Sequence, residues 1–219
     1  MARMPRFRDR REAGRRLAEL LAELSLPSPL VLGIPRGGVV VADEVASALG
    51  APLDVVVVRK LGYPGHEEAA FGAVGEGGVL APASLAELTP ETRGYDVVRR
   101  AIAARSEEVT ERVERYRGGR KPVPIAGTSA IVVDDGIATG YTFAAALAIV
   151  APDRPRRLIS AIPVATVEGA ELVERYCDEV RLLSAAEPGG FFAVSLHYDR
   201  FEQVSDEEVV ALLGREPEL

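Results

Sequence analysis

Two adjacent acids, Asp134 and Asp135, end the apolar run "SAIVV" and lead directly into Gly136, Ile137, Ala138, Thr139, Gly140, Tyr141 and Thr142. A buried strand has no use for two carboxylates, and a turn that only reverses the chain does not need two glycines and two threonines together. A loop that runs into a helix N-terminus offers unpaired backbone N–H groups and the positive end of the helix dipole, and the two together bind an anion. Glycines let the backbone close around a phosphate, while Thr139 and Thr142 add hydroxyl donors. The carboxylates would repel that phosphate if they faced it. They are better placed to accept hydrogen bonds from vicinal hydroxyls, or to orient Mg2+ through its water shell. Hydroxyls a short distance from a phosphate describe a ribose 5-phosphate.

The elements around this loop follow from periodicity. "DRREAGRRLAELLAEL", residues 9–24, sets Ala13, Leu17, Leu20, Leu21 and Leu24 on one helical face, with Asp9 as N-cap. "PLVLGI" reads as a buried strand, "PRGG" as a turn, and "VVVADEVASALG" as a helix stopped by Gly50. "LDVVVVRK" reads as a second strand, whose unbroken valines predict a sheet covered on both faces. Residues 61–90, dense in Gly and Pro with weak periodicity, predict a long irregular excursion of functional or mobile character. A long charged helix over 91–117 follows, with Val98, Ile102 and Val109 in its apolar stripe. "SAIVVDD", "RRLISAIPVA" and "DEVRLLSA" are further strands. They alternate with helices over "YTFAAALAIVA" and "VEGAELVERYC", and a last helix is capped by Ser205.

This alternation predicts a single α/β domain over 1–219, with a mainly parallel twisted sheet flanked by helices. In such sheets ligands bind beyond the carboxyl ends of the strands. "GIPRGG", "VVRKLG" and "VVDDGIATG" all lie at that end, so three loops distant in sequence can converge. Other phosphate and nucleophile motifs are absent: no G-x-x-x-x-G-K-[ST], no G-x-G-x-x-G after a strand, no G-x-S-x-G.

"IVVDDGIATGYT", residues 131–142, resembles the signature with which type I phosphoribosyltransferases bind 5-phosphoribosyl 1-pyrophosphate (PRPP). The resemblance implies that Asp134 and Asp135 bind the ribose 2′- and 3′-hydroxyls and, through water, Mg2+. It implies that Gly136, Ile137, Ala138, Thr139, Gly140, Tyr141 and Thr142 hold the 5-phosphate. "GIPRGG" is similar to the family's pyrophosphate loop, which puts Arg36, Gly37 and Gly38 at contact positions and implies a cis peptide at Pro35–Arg36. "VVVRKLG" is similar to the Arg–Lys pair after the second strand of several members, so Arg59 and Lys60 would face the pyrophosphate. Asp134, Asp135, Arg36 and Lys60 are then the expected catalytic residues. The core spans about 30–185, the lid 61–90, and a hood is built from 1–28 and 186–219. One position departs from the pattern: members acting on 6-oxopurines carry Asp where this chain has Ala138, so a general acid or base must come from elsewhere, with His66, Glu67 and Glu68 as lid candidates.

The acceptor would bind under the hood, where Phe191, Phe192, Tyr198 and Phe201 either stack on a planar base or pack the C-terminal helix onto the sheet. His197 and the single Cys177 read as structural residues; one cysteine excludes an intramolecular disulfide. The net charge of −7 argues against a nucleic-acid partner. No apolar run reaches a membrane span, and the basic N-terminal stretch lacks a signal peptide's apolar core, so the expected compartment is the cytoplasm. The expected partners are PRPP and an unidentified acceptor, with a homodimer as a compatible assembly. An enzyme is expected; the alternative is a PRPP-sensing regulator with little or no turnover.

Overall fold

The computed structural model describes residues 6–63, 66–76, 78–80, 95–186 and 193–215. Helix α1 (Arg10–Ala22) starts where expected, because the Asp9 carboxylate accepts the Glu12 N–H at 2.9 Å. Strand β1 (Pro29–Gly33) leads into α2 (Gly37–Leu49), which ends at Gly50 in the left-handed region. Then come β2 (Leu53–Val55), β3 (Val58–Tyr63), β4 (His66–Gly75) and β5 (Gly78–Leu80). The long helix α3 (Tyr95–Arg117) precedes β6 (Ser129–Val133), α4 (Tyr141–Val150) and β7 (Arg157–Thr166). The chain continues with α5 (Val167–Glu174), β8 (Glu179–Ala186) and α6 (Asp206–Leu213), the last capped by the Ser205 hydroxyl on the Glu208 N–H.

Five strands form a parallel sheet in the order β2-β1-β6-β7-β8. Alternate side chains of each central strand enter different cores. Leu30, Leu32 and Val132 pack with Phe143 and Leu147 of α4, whereas Val31, Ile131 and Val133 pack with Leu17, Val41 and Val45 of α1 and α2. Burial on both faces is why these strands read as continuous apolar runs. The chain winds outward from β1 to β2 and, in the other direction, from β6 to β8. The strand order therefore reverses between β1 and β6, the place where such sheets open a crevice for ligands.

The predicted strand "LDVVVVRK" is two strands in two sheets. β2 ends at Val55, the Val56 N–H donates to the Gly33 carbonyl at 3.1 Å, and β3 begins at Val58 in an antiparallel sheet β3-β4-β5. Val56 and Val58 join the core under α4, and Val55, Val57 and Leu61 join one formed with Val109 and Tyr116 of α3. An unbroken valine run reports burial, not which sheet receives it. The irregular excursion expected over 61–90 is, as far as Leu80, this small sheet, with register shifts beside Gly62 and with Gly75 directly under Ile149. Residues 64, 65, 77 and 81–90 of that expectation lie outside the described residues. Among the described residues no helix is long and apolar enough to cross a membrane.

Candidate functional site

The loops after β1 and β6 leave the sheet side by side: Gly33 pairs with Val133, and the Ile34 N–H donates to the Val133 carbonyl at 2.9 Å. Each runs into a helix whose first turn has no side-chain cap, α2 after Arg36 and α4 after Gly140. Each helix start thus offers unpaired N–H groups and a positive end, that of α2 directly beside the acids and that of α4 six residues after Asp135. The Pro35–Arg36 peptide is cis, as the resemblance implies. Gly38 has no room for a side chain, since a Cβ there would lie 2.8 Å from both Asp134 Cα and the Val133 carbonyl oxygen. A Cβ on Gly37 would collide with the Asp135 carboxylate and the Arg10 guanidinium. The glycine pair is therefore required by the close approach of α2 to the acids.

Each acid uses one oxygen internally. Asp134 Oδ1 accepts the Asp135 N–H at 2.8 Å, and Asp135 Oδ2 accepts Arg10 Nε at 2.7 Å. Asp134 Oδ2 and Asp135 Oδ1 have no partner among the described residues. They are not sealed in, because the one buried, unpartnered side-chain polar atom among those residues is Arg181 Nε. Burial, and then the neighbouring Asp135 carboxylate, push the Asp134 carboxyl well above the ordinary range. Burial raises Asp135 as well, against the opposing pull of Arg10.

The loop after the acids is anchored on its far side. Ile137 is buried and bridges to β7, its N–H donating to the Val164 carbonyl at 2.9 Å and its carbonyl accepting the Thr166 N–H at 3.1 Å. The Thr166 hydroxyl donates to the Ala138 carbonyl. Gly140 has φ +76°, and a Cβ on it would lie 2.7 Å from the Gly169 carbonyl oxygen. Ala138, Thr139 and Tyr141 are exposed and Thr142 is half-buried, so side chains of the expected phosphate cradle reach solvent.

The basic residues expected at the pyrophosphate differ in their settings. Arg36 lies 3.9 Å from Asp206 Oδ1 at the start of α6. Arg59 Nε donates to Glu108 Oε1 of α3 at 2.6 Å. Lys60 is exposed and, as the next residue of the same strand, points to the opposite face of the small sheet. Arg59 thus braces the sheet on α3, and Lys60 is the member of the pair turned away from that helix.

Sequence reasoning missed Arg10, which sits in a basic run that reads as a solvated helix face; its partner lies 125 positions away. It also missed the Tyr198 hydroxyl, which donates to the Asp135 carbonyl. Tyr198 is buried against Phe7 and Phe201, at centroid distances of 5.4 and 5.0 Å. Of the two roles open to these aromatics, Tyr198 takes packing, although its partner is the N-terminal segment and not the last helix. Phe191 and Phe192 lie outside the described residues, as do the side chains of His66, Glu67 and Glu68. His197 is buried, which holds its imidazole below the usual range, and its carbonyl accepts the Phe7 N–H at 2.8 Å. Burial pushes the Cys177 thiol up, which suits a core residue and not a nucleophile.

The acid pair and the uncapped start of α2 thus stand where the strand order of a parallel α/β sheet reverses, the place where such sheets open a ligand crevice. Residues 7–199 match the phosphoribosyl transferase domain family, and the chain belongs to that family. It is 45% identical over 214 residues to Mycobacterium tuberculosis proteins of strains CDC 1551 and H37Rv that carry the provisional name phosphoribosyl transferase. The alignment covers 97% of this chain and 47% of theirs, so the chain spans about half the length of the curated relatives it matches. The crystal structure of TT1426 from Thermus thermophilus is similar throughout, with 47% identity and a TM-score of 0.83 over 95% of this chain and 97% of that one.

Proposed function

We propose that this domain transfers the ribose 5-phosphate of PRPP to a nitrogenous base or similar acceptor, releasing pyrophosphate. The observation that carries the reading is the pair of oxygens without a partner among the described residues, Asp134 Oδ2 and Asp135 Oδ1, beside the uncapped start of α2 and a few residues before that of α4. Carboxylates accept strongly from vicinal hydroxyls, and a helix end a few residues further along the chain accepts the phosphate that a ribose carries nearby. Asp134 and Asp135 hold the 2′- and 3′-hydroxyls, and the backbone of 136–142 holds the 5-phosphate with Thr139 and Thr142.

Breaking the bond from C1 to pyrophosphate places positive charge on the ribose ring and negative charge on the leaving group. Arg36, from the N-terminus of α2, and Lys60 stabilise the leaving anion, and the acids stabilise the ring. The acceptor nitrogen bonds to C1 as the pyrophosphate oxygen departs. Mg2+ suits this donor set: hard carboxylate oxygens that, among the described residues, have no competing partner and are too few for an all-protein cage are what a cation shared with substrate phosphates requires. When bound, it neutralises pyrophosphate charge.

The test is a nucleobase screen with PRPP and Mg2+, following pyrophosphate release. Release that depends on one base class establishes the transferase. PRPP binding without release for any acceptor replaces the reading with a PRPP-sensing one.

A further inference from the structure

Arg10 belongs to α1, far in sequence from the acid motif, yet it is fixed by three separate contacts. Its Nε donates to Asp135 Oδ2 at 2.7 Å, its NH1 donates to the Glu202 carbonyl at 2.8 Å, and its guanidinium carbon lies 3.7 Å over the Phe201 ring. The Arg10 and Asp135 side chains are only 11% and 14% exposed, and the pair is seated over Gly37, where no side chain would fit. We propose that Arg10 is a positioning residue: it holds the Asp135 carboxylate so that the second oxygen, Oδ1, meets a ribose hydroxyl of PRPP. This inference rests on the phosphoribosyl reading above.

The geometry favours positioning over blockade. A carboxylate offers two oxygens and about four acceptor sites, and Arg10 engages one oxygen through Nε alone. The terminal torsion of an aspartate is broad, so nothing in the side chain itself sets which way its oxygens face. The uncapped end of α2 at Gly37 and Gly38 is a competing attraction for that carboxylate. Arg10 decides the orientation because its planar fork is itself clamped between a carbonyl and an aromatic face. The Tyr198 hydroxyl holds the backbone of the same residue, so two anchors from the roof of the site converge on Asp135.

The test is calorimetric titration of the wild-type chain, Arg10→Met and Arg10→Lys with PRPP plus Mg2+, and with inorganic pyrophosphate plus Mg2+, which lacks a ribose. Arg10→Met should weaken PRPP by about tenfold, the equivalent of one good hydrogen bond, and leave pyrophosphate within about twofold. Arg10→Lys, which keeps the charge but not the fork, should recover part of the PRPP affinity. Unchanged PRPP affinity in Arg10→Met overturns the inference, as does equal loss of both ligands, which marks a general collapse of the site. Should Arg10→Met fail to fold, Arg10→Lys decides by the ratio of the two affinities, and an unchanged ratio overturns the inference. A wild-type chain that takes up no PRPP removes the phosphoribosyl reading itself, a separate and recognisable result.

Discussion

Arg117 Nε donates to Asp54 Oδ1 at 2.9 Å, and both side chains are less than a tenth exposed. Arg117 also reaches Glu76 at the turn between β4 and β5, while Asp54 Oδ2 accepts the Val123 N–H at 3.0 Å. One buried pair therefore ties the end of α3, the small sheet, the edge of the parallel sheet and the chain leading to β6. Removing one partner of such a pair leaves a buried charge unmatched, at about 3–5 kcal/mol. Arg117→Met should lower the melting temperature by roughly 10 °C on that basis. A melt within about two degrees of wild type, followed by circular dichroism, would show that the pair contributes little.

The two acids should agree in the direction of their effect on stability and in binding. Burial and Asp135 raise the Asp134 carboxyl, so its folded-state value lies above its unfolded one. The ionised form then costs stability at neutral pH, and the cost disappears below the unfolded value of about 3.9. Asp134→Asn should melt higher than wild type at about pH 7, with the gain fading as pH falls towards about 4. Burial raises Asp135 as well, against the pull of Arg10, and asparagine keeps an oxygen for the Arg10 Nε, so Asp135→Asn should melt no lower than wild type at about pH 7. The double variant should bind PRPP about a hundredfold more weakly. Melts across pH, paired with calorimetry, check both; an intact PRPP affinity in the double variant would remove the acids from the site.

Asp206 supplies a pH dependence of the opposite sign. The Tyr116 hydroxyl, at 2.7 Å, and Arg115 hold its carboxyl below the ordinary value. A depressed acid contributes stability above its unfolded value of about 3.9, and that contribution is lost as pH falls through the folded value. Discounted for its partial exposure, the contribution is about 1 kcal/mol. Asp206→Asn should melt about 2–4 °C lower at about pH 7 and match wild type near about pH 2. The same offset at both pH values would exclude the carboxylate charge as its source.

Ala138 bears on the acceptor. Its side chain is exposed, and its carbonyl is occupied by the Thr166 hydroxyl. With no carboxylate at this position, 6-oxopurines should be poor acceptors beside bases that need no acid there. Pyrophosphate release measured with hypoxanthine, guanine and a panel of other bases tests this, and rapid turnover of either purine would contradict it.

The acid motif was legible because its logic is local: strand, carboxylates, glycine loop and helix start are consecutive in sequence. The helix caps at Asp9 and Ser205 were legible for the same reason, each depending on a residue three positions on. The split of the valine run at Val56 was not, since both sheets bury valine equally well. Nor were β4 and β5, where glycines dilute the alternation that marks a strand. Arg10 was hidden by its neighbours. Among Arg6, Arg8, Arg11, Arg15 and Arg16, nothing in the sequence distinguishes the arginine that turns inward, because its partner is supplied only by the fold. The Arg59–Glu108 pairing was not legible either: the resemblance directs Arg59 and Lys60 together at one anion, and only the fold supplies the acid that Arg59 meets.

The lacing of Phe7 to the segment near Tyr198 carries a consequence for how the molecule is made. The Phe7 N–H donates to the His197 carbonyl, and Asp199 and Arg200 donate back to the carbonyls of Phe7 and Arg8. Chains emerge from the ribosome N-terminus first. The first of these segments is therefore synthesised long before its partner, and must wait until residues 197–200 have emerged. A nascent chain that ends after β8 already holds the acids, the glycine loops and the parallel sheet, but not Tyr198, Phe201 or the Glu202 carbonyl that clamps Arg10. The contacts that clamp Arg10 and the Asp135 backbone are thus completed only once residues 198–202 have been synthesised, and a product truncated after β8 carries the motif without them.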